Sequence, residues 1–102
     1  MAQKRLSGPS ALTGAAVIQY TVPAGRKALV RQIHVENGTA APINFTCSVG
    51  VDAAGTRLAD AKPVPANDFI DMYLYLPLAA AEDIRAFGNV LTMTTMGDED
   101  VA

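Results

Sequence analysis

The sequence predicts an all-β fold, a single antiparallel β-sandwich domain, from three observations. Short stretches of alternating apolar and polar residues recur along the chain, turn residues separate them at regular spacing, and no segment carries a sustained helical pattern. Half of the 102 residues are hydrophobic, which suits one domain with a modest core. Six to eight short strands separated by such turns are typical of a sandwich.

The two ends of the chain differ in composition from the middle. Residues 1–14 are rich in small and polar side chains and include Gly8-Pro9, which predicts a flexible N-terminal arm. Residues 15–97 carry the alternating pattern and are predicted to form the β-sandwich domain. Residues 98–102 begin with Asp98-Glu99-Asp100 and predict a frayed acidic C-terminal tail.

The first two predicted strands are Val17–Val22 and Lys27–Glu36. In the first strand, Ile18, Tyr20 and Val22 are expected on one side of the sheet. Regular alternation in the second would bury Arg31, and burying an unpaired guanidinium is costly. We therefore predict a bulge at Arg31-Gln32, which turns His34 away from the core. The bulge aligns four apolar residues on one face: Ala28, Val30, Ile33 and Val35.

The clearest predicted strand, Ile43–Val51, follows a turn at Asn37-Gly38 and alternates throughout. Its apolar face is predicted to consist of Ile43, Phe45, Cys47, Val49 and Val51. Its polar face is predicted to consist of Asn44, Thr46, Ser48 and Gly50. After a turn at Asp52–Gly55, a short strand is predicted at Arg57–Ala61, with prolines interrupting the pairing beyond it.

The last predicted strands are Phe69–Leu76, Asp83–Phe87 and Val90–Met96, with a turn at Gly88-Asn89 between the final two. One face of the first carries Ile70, Met72, Leu74 and Leu76, and the other carries Phe69, Asp71, Tyr73 and Tyr75. From the two best alternating strands we expect a shared core of Phe45, Cys47, Val49, Ile70, Met72 and Leu74.

A related segment occurs three times, each time before a predicted strand. The copies are Val22-Pro23-Ala24-Gly25, Val64-Pro65-Ala66-Asn67 and, more loosely, Leu78-Ala79-Ala80-Ala81. Proline presets one turn angle, and glycine or asparagine accepts left-handed geometry. The repeat therefore predicts chain corners in preference to a ligand-binding loop. The third copy lacks proline and glycine, which leaves its turn type open.

The corners and adjoining strands resemble a layout found in small virion proteins of tailed bacteriophages. The matching segments are Tyr20–Arg31 with Ile33, Val35 and Asn37, then Ser48–Leu58, Val64–Asn67 and Leu78–Ala86. The resemblance implies a jelly-roll-like sandwich and a structural role in the virion, after synthesis in the bacterial host cytoplasm. Capsid decoration, with the major capsid protein as partner, is the leading interpretation. A tail, baseplate or head-fibre component is the alternative.

Residues that could carry chemistry are few, so we predict no catalytic, cofactor or metal site. His34 is the only histidine, too few for the metal site of a jelly roll, and Cys47 lies on an apolar face that does not stabilise a thiolate. A net charge of −2 gives no basis for nucleic-acid binding. No apolar run reaches membrane-spanning length, and the N-terminus lacks a signal peptide's continuous apolar core, so we expect a soluble, unexported protein.

The remaining features indicate association. Phe69, Tyr73 and Tyr75 lie opposite a core face, so either a covering element buries them or another subunit contacts them. Lys4 and Arg5 are candidates to meet an acidic patch on a neighbour. We expect a homo-oligomer, with a trimer favoured. A small carbohydrate-binding module is the competing function, because tyrosines on a sheet can stack on sugars.

Overall fold

The computed structural model describes residues 2–102, with side chains from Lys4 onward, and its regular structure consists of eight strands. They are β1 (Ala2–Ala11), β2 (Val17–Thr21), β3 (Arg26–Asn37), β4 (Ile43–Val49), β5 (Arg57–Val64), β6 (Asp68–Leu78), β7 (Asp83–Phe87) and β8 (Thr92–Val101). Antiparallel pairing gives sheet A, ordered β1-β8-β3-β6, and sheet B, ordered β2-β7-β4-β5. Two four-stranded sheets in this order form a jelly roll, so the predicted fold class is confirmed.

The core lies between the two sheets and follows the predicted apolar faces. Its largest fully buried side chains are Phe45, Ile33, Ile84, Leu91 and Met93. Of the six residues predicted for the core, Phe45 and Cys47 are fully buried. The other four are half-buried and pack against the core: Val49, Ile70, Met72 and Leu74. Three of those four lie on β6, and an edge strand is covered less completely than a central one.

The predicted bulge in β3 is confirmed. The pairing register of β3 shifts between Val30 and Gln32 against both β6 and β8. Arg31 is therefore exposed, while residues on either side of the bulge, such as Val30 and Ile33, are buried. Opposite the bulge, β8 carries Gly97, where an added Cβ would lie 2.0 Å from the carbonyl oxygen of Leu29. The bulge thus requires glycine on the neighbouring strand.

The three related segments are chain corners, as predicted. Their fourth residues, Gly25, Asn67 and Ala81, have φ angles of 75°, 55° and 70°. Their first residues are all buried, and each corner leads into a strand: β3, β6 or β7. The first and third corners also contact each other, since the Val22 N–H donates to the Glu82 carbonyl at 2.9 Å. Ala81 therefore adopts the left-handed turn without proline or glycine.

The structure corrects the prediction for both chain ends. Residues 2–11, predicted as an arm, form β1 and pair with β8 from Ala2↔Glu99 to Ala11↔Thr92, while Met1 lies outside the described residues. Residues predicted as a frayed tail belong to β8, which continues to Val101 between β1 and β3. Backbone hydrogen bonds to neighbouring strands order these segments, although neither has an alternating apolar pattern.

Several strand details also differ from the prediction. Thr46 and Ser48, predicted on the polar face of β4, are buried, and the Thr46 hydroxyl accepts a hydrogen bond from the Ala61 N–H at 3.0 Å. β5 continues through Pro63, which an edge strand tolerates. Ile18 is exposed because β2 is an edge strand whose register shifts immediately after it. The final strand begins at Thr92, two residues later than predicted.

Candidate interaction surface

The outer face of sheet A carries the side chains that were predicted to mediate association. The bulge sends Gln32, His34 and Glu36 outward, because the intervening Ile33 and Val35 are buried. Across the sheet, Gln32 pairs with Tyr73 on β6 and with Met96 on β8, and Met96 pairs with Arg5 on β1. This row crosses all four strands. It brings the predicted residues Arg5 and Tyr73 onto one face.

The three predicted aromatic residues of β6 are exposed. Phe69, Tyr73 and Tyr75 retain 53%, 76% and 74% of their accessible surface. The interpretation that an element of the same chain covers these three side chains is therefore wrong. We call Phe69, Tyr73 and Tyr75 together the aromatic row. Exposed apolar groups concentrated on one strand are typical of a recognition surface.

A hydrogen-bonded group of side chains occupies the centre of the aromatic row. His34 Nδ1 and Asp71 Oδ1 lie 2.6 Å apart, and Gln32 Nε2 donates to the same oxygen at 2.9 Å. The hydrogen bond with His34, followed by that from Gln32, holds the pKa of Asp71 below its ordinary value. The His34 ring lies 5.2 Å from the Phe69 ring. His34 therefore points away from the core, as predicted, and contacts one end of the aromatic row.

A groove of about 460 Å³ lies beside Tyr73. Residues that line it include Lys4, Arg5, Arg31, Gln32, Tyr73 and Met96. We call it the basic groove. Three of the five residues predicted for an interface, Lys4, Arg5 and Tyr73, thus meet at one place. Phe69 lies further along β6, at the opposite end of the face.

The cations of the basic groove are more exposed than their acidic partners. Arg31 Nε donates to Asp98 Oδ2 at 2.6 Å, with 48% of the arginine side chain exposed but only 7% of the aspartate. Lys4 Nζ lies 3.3 Å from Glu99 Oε1, with exposed fractions of 50% and 12%. Among residues 4–102, Arg5 makes no ion pair. The groove therefore presents positive charge to solvent.

Glu99 connects the groove to the other sheet. The Tyr20 hydroxyl donates to Glu99 Oε2 at 2.7 Å, and burial together with this carboxylate raises the pKa of Tyr20. The same hydrogen bond is the main reason that the pKa of Glu99 is lowered, and Lys4 adds to the effect. The acidic partner that we expected for Lys4 on a neighbour is thus found within the same chain. No sequence pattern indicated this pair, because Lys4 and Glu99 lie 95 positions apart in the chain.

The opposite end of the face is acidic. A smaller cleft there is lined by Glu36, Asn37, Gly38, Asn67, Asp68 and Phe69, which we call the acidic corner. Asn37 is buried, and its amide donates to the carbonyls of Ala41 at 2.9 Å and Val64 at 3.0 Å, which anchors the loop that follows β3. Glu36 and Asp68 are exposed. Sheet A therefore has a polarised outer face, basic at one end and acidic at the other.

Elsewhere the described part of the chain offers little reactive chemistry. Cys47 is buried in the core, and burial raises its pKa to about 12. Within the described residues, no group of three or more histidine, cysteine or acidic side chains is placed to hold a metal ion. None of the secondary structure in residues 2–102 is a long apolar helix that could cross a membrane.

Comparisons of the chain with protein-family models, with curated proteins and with solved structures each find no match.

Proposed function

We propose that this protein is a non-enzymatic structural component of a tailed-bacteriophage virion, where it decorates the capsid by binding the major capsid protein. The observation that carries the proposal is the exposed aromatic row on an edge strand of a small jelly roll. Aromatic side chains bury a large area with few rotatable bonds, so they are favoured at the centres of protein interfaces. The row is suited to docking on another protein.

The resemblance to phage virion proteins is what assigns this docking surface to a virion. It rests on corner residues such as Val22 and Val64, which are buried, and on residues of β3 such as Ile33 and Val35. These residues specify the sandwich, whereas the exposed row is what a partner would contact. A tail, baseplate or head-fibre component would use the same row, and it remains the alternative within the structural class.

The experiment that tests the proposal is quantitative mass spectrometry of purified virions. A decoration protein is expected at a copy number comparable with that of the major capsid protein. A few copies per particle would favour the tail, baseplate or fibre alternative. Complete absence from mature particles would refute the virion role.

A carbohydrate-binding module is the second candidate, because Tyr73 and Tyr75 are the most exposed of the large apolar side chains. Binding of the purified domain to a glycan array would favour it, provided that Tyr73→Ala and Tyr75→Ala abolish the signal. Lys62→Glu on β5 is a suitable control because it changes an exposed residue of the other sheet.

A further inference from the structure

The basic groove and the acidic corner are complementary surfaces on one chain. We propose that the basic groove of one copy is the docking site for the acidic corner of a second copy. This inference concerns self-association, and it holds or fails independently of the virion role.

The charges on both surfaces are available for such a contact. Arg31 donates to Asp98 through Nε only, so the two terminal nitrogens of its guanidinium can bind a carboxylate in the forked geometry that arginine favours. Arg5 lines the same groove and makes no ion pair within residues 4–102. In the acidic corner, Glu36 and Asp68 likewise make no ion pair with any residue whose side chain is described.

The apolar groups of the two surfaces also match. Phe69 is half-exposed at the acidic corner, while Tyr73 and Met96 line the basic groove. Tyrosine, phenylalanine, methionine and arginine are enriched at interface centres, where charged residues other than arginine are depleted. Docking would place Phe69 against these two side chains and leave the charge pairs around the rim.

Within one chain, the basic groove and the acidic corner are too far apart for their charges to pair. Glu36 lies four residues from Gln32 along β3, a separation of about 13 Å. This exceeds the screening length of about 8 Å at physiological ionic strength. Each copy therefore offers one unlike pair of surfaces, so the contact can repeat from head to tail and gives a ring where the rotation between copies closes. The trimer favoured from the sequence would be such a ring.

Charge reversal at both ends tests the contact. Arg5 and Glu36 suit the purpose because both are exposed and neither makes an ion pair within the described chain, so their replacement leaves the fold intact. Sedimentation velocity would compare the full chain with Arg5→Glu, Glu36→Arg, the double variant and the control Lys62→Glu. Thermal melting of each variant would verify folding.

We expect the unaltered chain to self-associate and each single reversal to weaken association roughly tenfold, since attraction becomes repulsion at the rim. The double variant should recover much of the loss, and Lys62→Glu should match the unaltered chain. Association should also weaken at high salt.

Three results would overturn the proposal. The first is an unaltered chain that stays monomeric up to millimolar concentration. The second is association that is insensitive to both single reversals, which would place the contact elsewhere. The third is a monomer whose groove binds polysialic acid and loses that binding in Arg5→Glu, which would assign the groove to an anionic glycan.

Discussion

At the scale of single residues, Phe45 shows how a side chain of the clearest predicted strand stabilises the core. It is fully buried between the sheets, so Phe45→Ala removes its packing and leaves a cavity. We expect the free energy of unfolding to fall by about 3–5 kcal/mol in chemical denaturation. Phe69→Ala is the matched control, because half of the Phe69 side chain is already exposed. Its free energy of unfolding should fall by less than about 1 kcal/mol. Equal losses in the two variants would contradict this assignment of the core.

Cys47 is expected to be unreactive while the protein is folded. The thiol is buried and its pKa is raised to about 12, so almost no thiolate forms near neutrality. Ellman's reagent at about pH 8 should label the unfolded chain quickly and the native chain only as fast as it opens. Labelling of the native protein at the rate of a free thiol would show that the residue is accessible.

At the scale of elements, the corners combine a buried first residue with a left-handed fourth residue. Gly25 has a φ of 75° and open space around its Cα, so backbone strain is the only penalty for a side chain there. Gly25→Ala should destabilise the protein by about 1 kcal/mol. Gly55→Ala is the control, since Gly55 also faces open space but lacks a positive φ, and its effect should be near zero. Indistinguishable melting temperatures for the two variants would argue against the corner geometry.

β1 is the element whose role differs most from its prediction. Because it covers one edge of β8, deletion of Met1–Ser10 should lower the melting temperature or prevent folding. A flexible arm would instead be removed without thermal effect. Lys4→Gln serves as the control because it keeps the strand and changes only a half-exposed charge, which should alter stability by less than about 1 kcal/mol.

At the scale of the whole molecule, hydrogen-bonded carboxylates make stability depend on pH. The pKa values of Asp71, Glu99 and Asp52 are lowered, mainly by hydrogen bonds from His34, Tyr20 and Arg57 respectively. A carboxyl group whose pKa is lower in the folded state binds more protons when unfolded, so acid favours unfolding. The stabilisation is complete above the unfolded values of about 4 and is lost as pH falls through the folded values.

Urea denaturation across a pH series measures this effect. We expect the unfolding free energy to fall progressively as the pH is lowered below about 5. Glu99→Gln removes one of the titrating groups and should make the fall shallower. Stability that increased below about pH 4 would contradict the assigned hydrogen bonds.

The sequence by itself determined most strands, the bulge at Arg31 and the three corners, because each depends on local properties. Alternating burial, the cost of an unpaired guanidinium and left-handed turn residues all act within a few positions of one another. The five candidate interface residues were also chosen from such patterns, as aromatic or basic side chains, but the exposure of the aromatic row was decided by the tertiary structure.

Only the tertiary structure decided how the chain ends are used and how the surface charges are arranged. Lys4 meets Glu99 across 95 positions of sequence and Arg31 meets Asp98 across 67, so no local pattern could have revealed either pair. β1 and the end of β8 are ordered by backbone hydrogen bonds, which place little constraint on side-chain sequence. Sheet order then places Arg5 and Tyr73 in one row across the same face and keeps Glu36 at the other end of that face, because antiparallel pairing joins residues distant in the chain.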